Sequence, residues 1–241
     1  MWKNKKVSVI LPTYNEKDSI KEVIEGFFDT GYVDEVVVVN NNASRGTEER
    51  VWKTKAVQVF EKKQGYGHAI QRGFKEASGD LLVLSEPDGT FEPKDILKLL
   101  AYSDSFDAVW GTRTNIALIS RGANMNMPMR LANVIVAKII QFLFDTSRLT
   151  DVGCTYKLFK TKVIATIQDQ FSIGTQHFGP ELMILTILNG FSFVEIPVSY
   201  YKRVGISSVT GSKRKTVILC FKMLHIIVSY FIVSIVKKPK R

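Results

Sequence analysis

The 241-residue chain is 45% hydrophobic and 23% charged and carries no repeated or low-complexity block, which excludes disorder at scale and leaves room for one large α/β domain and a tail. A formal net charge of +10 calls for an anionic partner. The lysines and arginines bunch at Arg203, Lys213, Arg214, Lys215, Lys222, Lys237, Lys238, Lys240 and Arg241, around the most apolar segment and without interleaved aromatic stacking positions, which favours phosphates or an acidic bilayer over nucleic acid.

Residues 7–11 form a β-branched run that breaks at Pro12, too short and too early for a secretory signal, so the catalytic part is expected to face the cytoplasm. Ser19 and Glu22 have capping-box spacing ahead of a helix to Phe28. A second strand follows at 35–39, a short helix at 47–53, a third strand at 57–60, a helix at 67–77 and a fourth strand at 81–84. Pro93 then opens the next helix. Strands alternating with helices of this length imply right-handed crossovers, and strands as uniformly apolar as residues 36–39 are buried on both faces. The expectation is a doubly wound, mostly parallel sheet with flanking helices.

The second half is less regular. Residues 128–144 read as a helix, 151–159 as a segment crossing from polar to apolar, 180–188 as a helix and 191–198 as an edge strand ending near Pro197. The two cysteines, Cys154 and Cys220, have no metal-ligand spacing, so neither a disulfide framework nor a zinc site is indicated. His68, His177 and His225 form no ligand pair and read as packing or surface residues.

In doubly wound sheets, ligands bind beyond the carboxyl ends of the strands, here loops 12–16, 40–47 and 85–90. The last of these, Ser85-Glu86-Pro87-Asp88-Gly89-Thr90, carries two carboxylates one residue apart. Mg2+ or Mn2+ bound to a diphosphate needs such acids on a turn with small neighbours. The same sequence is also good chemistry for a plain solvated turn.

Residues 9–16 (VILPTYNE), 37–47 (VVVNNNASRGT), Gly65-Tyr66-Gly67-His68-Ala69 and Ala77-Ser78-Gly79-Asp80 together resemble the opening of family 2 glycosyltransferases with the GT-A fold. Downstream, Gly111-Thr112-Arg113, Asp151-Val152-Gly153-Cys154-Thr155, Glu195-Ile196-Pro197-Val198 and Tyr201-Lys202-Arg203-Val204-Gly205 are similar to the branch that makes polyprenyl- and dolichyl-phosphate sugars. The resemblance covers residues 7–215 and implies an enzyme that transfers a sugar from a UDP- or GDP-sugar to a lipid phosphate. An acceptor hydroxyl on a glycan or lipid is the alternative.

Carried over by position, Pro12, Tyr14 and Glu16 line a nucleoside pocket, Asn41 reaches the base, and Glu86 and Asp88 hold the Mg2+ or Mn2+. The family pattern usually has aspartate where Glu86 stands, and many members have aspartates at Asn40 and Asn41. Arg113, Arg130 and Arg203 match phosphate-binding arginines, whose planar guanidinium makes two parallel charged hydrogen bonds. With Lys213, Arg203 belongs to a basic loop that clamps a lipid phosphate or the donor diphosphate. A phosphate acceptor is already anionic and needs no general base. For a hydroxyl acceptor, Asp151 or Glu181 is the candidate. A single displacement without a covalent intermediate implies inversion.

Residues 216–236 approach the ~20 residues that span a bilayer core. Lys215, Lys222, His225 and Ser229 fall on one narrow helical stripe, which suits a helix lying in the headgroup plane; a single pass and a buried core helix are the alternatives. The division expected is a GT-A domain at 1–212 and a basic, apolar membrane-associated helix and tail at 213–241. Gly65-Tyr66-Gly67 is not a dinucleotide fingerprint, because Ile70 takes the third glycine's place and the motif follows the third strand.

Overall fold

The computed structural model describes residues 1–205 and 213–237. Among these, strands β1 (Val7–Thr13), β2 (Glu35–Asn40), β3 (Val57–Phe60), β4 (Leu81–Leu84), β5 (Ala108–Thr112), β6 (Lys157–Lys160) and β7 (Phe193–Pro197) make one sheet in the order β3-β2-β1-β4-β6-β5-β7. The helices are α1 (Ile20–Asp29), α2 (Thr47–Val51), α3 (Tyr66–Glu76), α4 (Ile96–Ser103), α5 (Met127–Leu143), α6 (Thr161–Ile167), α7 (Phe178–Leu188) and α8 (Lys213–Lys237).

The first four strands pair in parallel, β2 with β1 and β3, and β1 with β4, as their apolar character on both faces requires. Alternate side chains feed two cores. Ile10, Val37, Val39, Leu82 and Leu84 pack under α3, α5, α6 and α7, while Val9, Leu11, Val36, Val38 and Val83 pack under α1 and α4. Fully burying each such side chain contributes roughly 1.5–3 kcal/mol. Gly73 is required where α3 crosses β1, since a Cβ there would lie 2.3 Å from Ile10 Cγ2.

The structure corrects several sequence expectations. The segment read as a polar-to-apolar crossing ends in β6, which inserts antiparallel between β4 and β5. β5 itself, absent from the sequence reading, pairs in parallel with the edge strand β7. Pro93 opens a 3₁₀ turn, Pro93–Asp95, ahead of α4. Ser19 forms no capping box; its hydroxyl donates to the carbonyls of Glu16 and Pro87, at 3.3 and 2.7 Å, and so ties the β1–α1 loop to the acidic loop.

α8 docks on α7 and α5, with Ile227 in the core and Phe231 edge-on to Phe144. Little of Val217–Val236 is buried, and this stretch is long and apolar enough to cross a membrane. Lys222, His225 and Ser229, the polar stripe seen in the sequence, face a groove of about 690 Å³ closed on its other side by Ser172, Ile173 and His177.

Candidate active site

Three loops leave the carboxyl ends of β1, β2 and β4 side by side. In the first, the Glu16 carboxylate folds the loop back on itself: Oε2 accepts from the backbone N–H groups of Tyr14 and Asn15, at 2.8 and 2.9 Å, and from the Thr13 hydroxyl at 3.2 Å. Oε1 is left to meet Arg203 Nη2 at 2.7 Å.

In the second loop Asn41 is buried and its amide is fully engaged. Nδ2 donates to the carbonyls of Glu61 and Lys63, at 2.8 and 2.9 Å, while Oδ1 accepts from the Gly65 N–H at 2.8 Å and from Gln64 Nε2 at 3.1 Å. Asn41 therefore shapes the wall formed by the β3–α3 loop and has no amide group left for a base. Gly67 lets that wall close, because a Cβ there would lie 2.6 Å from the Ile173 carbonyl.

The third loop holds the two acids. Asp88 is 0% exposed; its Oδ1 accepts from the Thr90 N–H at 2.9 Å and the Thr90 hydroxyl at 2.6 Å, and its Oδ2 pairs with Arg203 Nη1 at 2.9 Å. The 201–204 segment runs along this loop, with Tyr201 N–H on the Thr90 carbonyl and Val204 N–H on the Asp88 carbonyl, at 2.8 and 2.9 Å. Desolvation and the neighbouring Asp88 carboxylate push the Glu86 carboxyl up to about 8. Two neighbouring carboxyl groups, one wholly buried and compensated by an arginine, the other part-buried with its charged form disfavoured, suit a divalent cation. The donor set is incomplete without substrate oxygens, since no group of three or more metal-ligating side chains occurs among the described residues.

A second ion pair lies farther along the sheet. Arg113 grips Asp151 in a bidentate fork, Nε to Oδ2 and Nη2 to Oδ1, both at 2.9 Å, and donates its own N–H to Oδ2. Gly153 N–H adds a donor to Oδ1 at 3.1 Å. Behind the pair, Glu195 accepts from the Thr150 N–H and hydroxyl and from the Asp151 N–H, at 2.7, 2.6 and 2.9 Å. Tyr200 lies under the Arg113 guanidinium, 5.1 Å from the ring centroid. Buried against Arg113, Asp151 stays below the ordinary carboxylate range in spite of its desolvation.

These loops surround a cavity of about 600 Å³. Pro12, Tyr14, Glu16, Asn41, Glu86, Arg113 and Arg203 line it, while Asp88 and Asp151 reach it through their arginine partners. Arg130, in the first turn of α5, does not line it, and the side chain of Lys213 lies outside the described residues. Glu181 is not a lining residue either. Its carboxylate accepts from Ser172 N–H and hydroxyl, Ile173 N–H and the Tyr230 hydroxyl, at 3.0, 2.5, 3.0 and 2.8 Å, which makes it a joint between α7, the 172–173 segment and α8. Lys157 and Tyr200 line the cavity without having been singled out in the sequence, and Tyr66, known there only as part of a motif, lines it too. The available signal was the lysine itself, set between Tyr156 and the apolar pair Leu158-Phe159.

The sheet order and flanking helices define a glycosyltransferase fold of the GT-A type. The family model described as Glycosyl transferase family 2 matches residues 8–167, and the chain belongs to that family. Glycosyltransferase AglJ of Haloferax volcanii is 26% identical over 202 residues, covering 82% of this chain and 63% of that protein. The dolichol-phosphate mannosyltransferase of Pyrococcus furiosus is 36% identical over 116 residues, 45% of this chain and 33% of that one. The chain thus spans less than two thirds of the length of these two curated relatives. A dolichyl-phosphate hexose transferase of Haloferax volcanii is 27% identical over 203 residues and is covered to 84%. Among solved structures, the glucosyl-3-phosphoglycerate synthase of Mycobacterium tuberculosis in complex with Mn2+, UDP and phosphoglyceric acid superposes with a TM-score of 0.75 at 16% identity, over 98% of this chain and 80% of that one, a likeness of fold.

Proposed function

We propose that this chain transfers a hexose, with inversion, from a UDP- or GDP-sugar to a polyprenyl or dolichyl phosphate at the cytoplasmic face of a membrane, with Mg2+ or Mn2+ held by Glu86 and Asp88. The observation that carries the reading is the array Glu16–Arg203–Asp88–Glu86 at the carboxyl ends of β1 and β4. When bound, the divalent ion supplies charge neutralisation for the departing nucleoside diphosphate. Glu16 and Asn41 set the shape of the nucleoside side, and Arg203 is placed to exchange carboxylate partners for phosphate oxygens. The names of two of the relatives, both dolichyl-phosphate transferases, support the acceptor class.

The state of the two candidate bases favours a phosphate acceptor over a hydroxyl. Asp151 has both oxygens occupied by Arg113 and Glu181 has both occupied by four donors, so neither is free to take a proton. A phosphate monoester makes no such demand, and positioning with charge screening suffices.

Membrane attachment is supported by the exposed faces of two helices. Met127, Leu131, Ile135 and Phe142 lie on one stripe of α5 and are 72, 55, 51 and 86% exposed. α8 adds Phe221, Val228, Ile232 and Val236. The Tyr230 hydroxyl, on Glu181 at 2.8 Å, holds α8 against the domain, which supports a helix lying along the membrane surface beside α5.

The test is a screen of UDP- and GDP-hexoses with a short polyprenyl phosphate in Mn2+ or Mg2+, scored by the mass and anomeric configuration of the lipid product. An inverted hexosyl phospholipid is expected. No product from any donor, or a retained configuration, overturns the reading.

A further inference from the structure

Lys157 is 1% exposed, yet it belongs to the lining of the 600 Å³ cavity. It stands on β6 opposite Trp110 of β5 and Leu84 of β4, the strand end that launches the acidic loop. Its Nζ has no hydrogen-bond acceptor among the described residues, and its nearest described compensation is the Trp110 ring, 5.5 Å away. The charges around it are set back: Asp151 and Glu195 act on it only at a distance, and Asp151 is itself consumed by Arg113. Burial lowers the Lys157 pKa accordingly.

A buried ammonium with no acceptor is a costly feature, and replacing such a group by an apolar side chain of similar volume is often neutral or stabilising. A packed strand position flanked by Leu84 and Trp110 would serve folding better as a methionine. The lysine therefore has to be accounted for by something that enters the cavity.

We propose that Lys157 is a substrate-binding residue whose missing acceptor is an anionic phosphoryl oxygen of a bound substrate. The proposal rests on the transferase reading above, which supplies two sources of that chemistry: the diphosphate of the donor and the phosphate monoester of the acceptor. Lys157 approaches both from the floor of the cavity, on the β6 side of the acidic loop, whereas Arg203 approaches from the 201–204 segment.

The experiment compares the full-length wild type with Lys157→Met, measuring unliganded thermal unfolding and calorimetric affinity for two probes: UDP or GDP with Mn2+, and a short-chain polyprenyl phosphate. Unfolding is expected at an equal or higher temperature in K157M, together with about a ten- to hundredfold loss of affinity for at least one probe, the size of a lost charged hydrogen bond. Loss confined to the nucleotide assigns Lys157 to the donor diphosphate, and loss confined to the lipid phosphate assigns it to the acceptor. Should K157M fail to fold, Lys157→Gln and Lys157→Arg make the same comparison, with the arginine variant expected to bind more tightly than the glutamine one. Affinities for both probes within twofold of wild type overturn the proposal and leave a lysine satisfied by internal water. A wild-type protein that binds neither probe overturns the transferase reading itself, and the role of Lys157 with it.

Discussion

Arginine 203 is the point at which the candidate site is most exposed to a single change. Its guanidinium joins Glu16 Oε1 at 2.7 Å to Asp88 Oδ2 at 2.9 Å, and Asp88 is wholly buried. Arg203→Ala leaves Asp88 Oδ2 without its cation beside Glu86. Breaking a buried pair from one side costs about 3–5 kcal/mol, and the quarter-exposed arginine places this case near the lower end. At about 2–4 °C per kcal/mol for a protein of this size, 3 kcal/mol corresponds to a fall of about 6–12 °C in Tm. The effect depends on pH. Glu86 has its folded value raised from 4.5 to about 8, so its contribution is fully present below 4.5 and is lost as pH rises through about 8. Arg203 lowers the Glu86 value, so its removal extends the loss to higher pH. Thermal unfolding from pH 5 to 9, with and without Mn2+, reads this directly: the Tm deficit of Arg203→Ala should be level up to about pH 8, widen above it and narrow on adding Mn2+, and turnover should fall strongly. A variant as stable as wild type at pH 8 with unchanged kinetics refutes the coupling of Arg203 to the acids.

Three further expectations follow from the same geometry. Asp88→Ala should abolish transfer and also remove the Mn2+-induced rise in Tm while the circular dichroism of the folded protein is kept; full turnover in excess chelator would contradict a metal role. Glu181→Gln should lower stability by about 1–3 kcal/mol, since an amide confronts donors where four are now accepted, but the pH profile of turnover in the folded fraction should stay unchanged; a lost acidic limb would restore Glu181 as a base. Leu131→Asp with Phe142→Asp should reduce sedimentation with anionic vesicles severalfold without altering nucleotide affinity, and undiminished sedimentation would remove α5 from the membrane face.

Much of the first half was legible in the chain. Residues 36–39 and 81–84 are apolar at every position, a pattern that only a sheet covered on both faces explains, and the observed strands β2 and β4 fall there. The polar loops at 12–16 and 85–90 followed from the same reading, and they are the loops that meet. The short strand β6 was not legible: Lys157–Lys160 is four residues of mixed character, and its antiparallel insertion depends on where α5 returns the chain. Nor were the occupations of polar side chains. Asn41, Ser19 and Glu181 each sit where a motif or a helix start suggests one use, and each is consumed by a partner that no local pattern announces.

Periodicity, glycine and proline placement and the paired acids are properties of neighbouring residues, so sequence alone determined the doubly wound layout, the site's edge of the sheet and the apolar C-terminal helix. Which charge meets which was decided only by the tertiary structure, because it depends on residues brought together across the whole chain. Arg203 and Glu16 are 187 positions apart. Whether a carboxylate is a ligand, a joint or a spent hydrogen-bond acceptor is set by the donors that folding places within 3 Å of it.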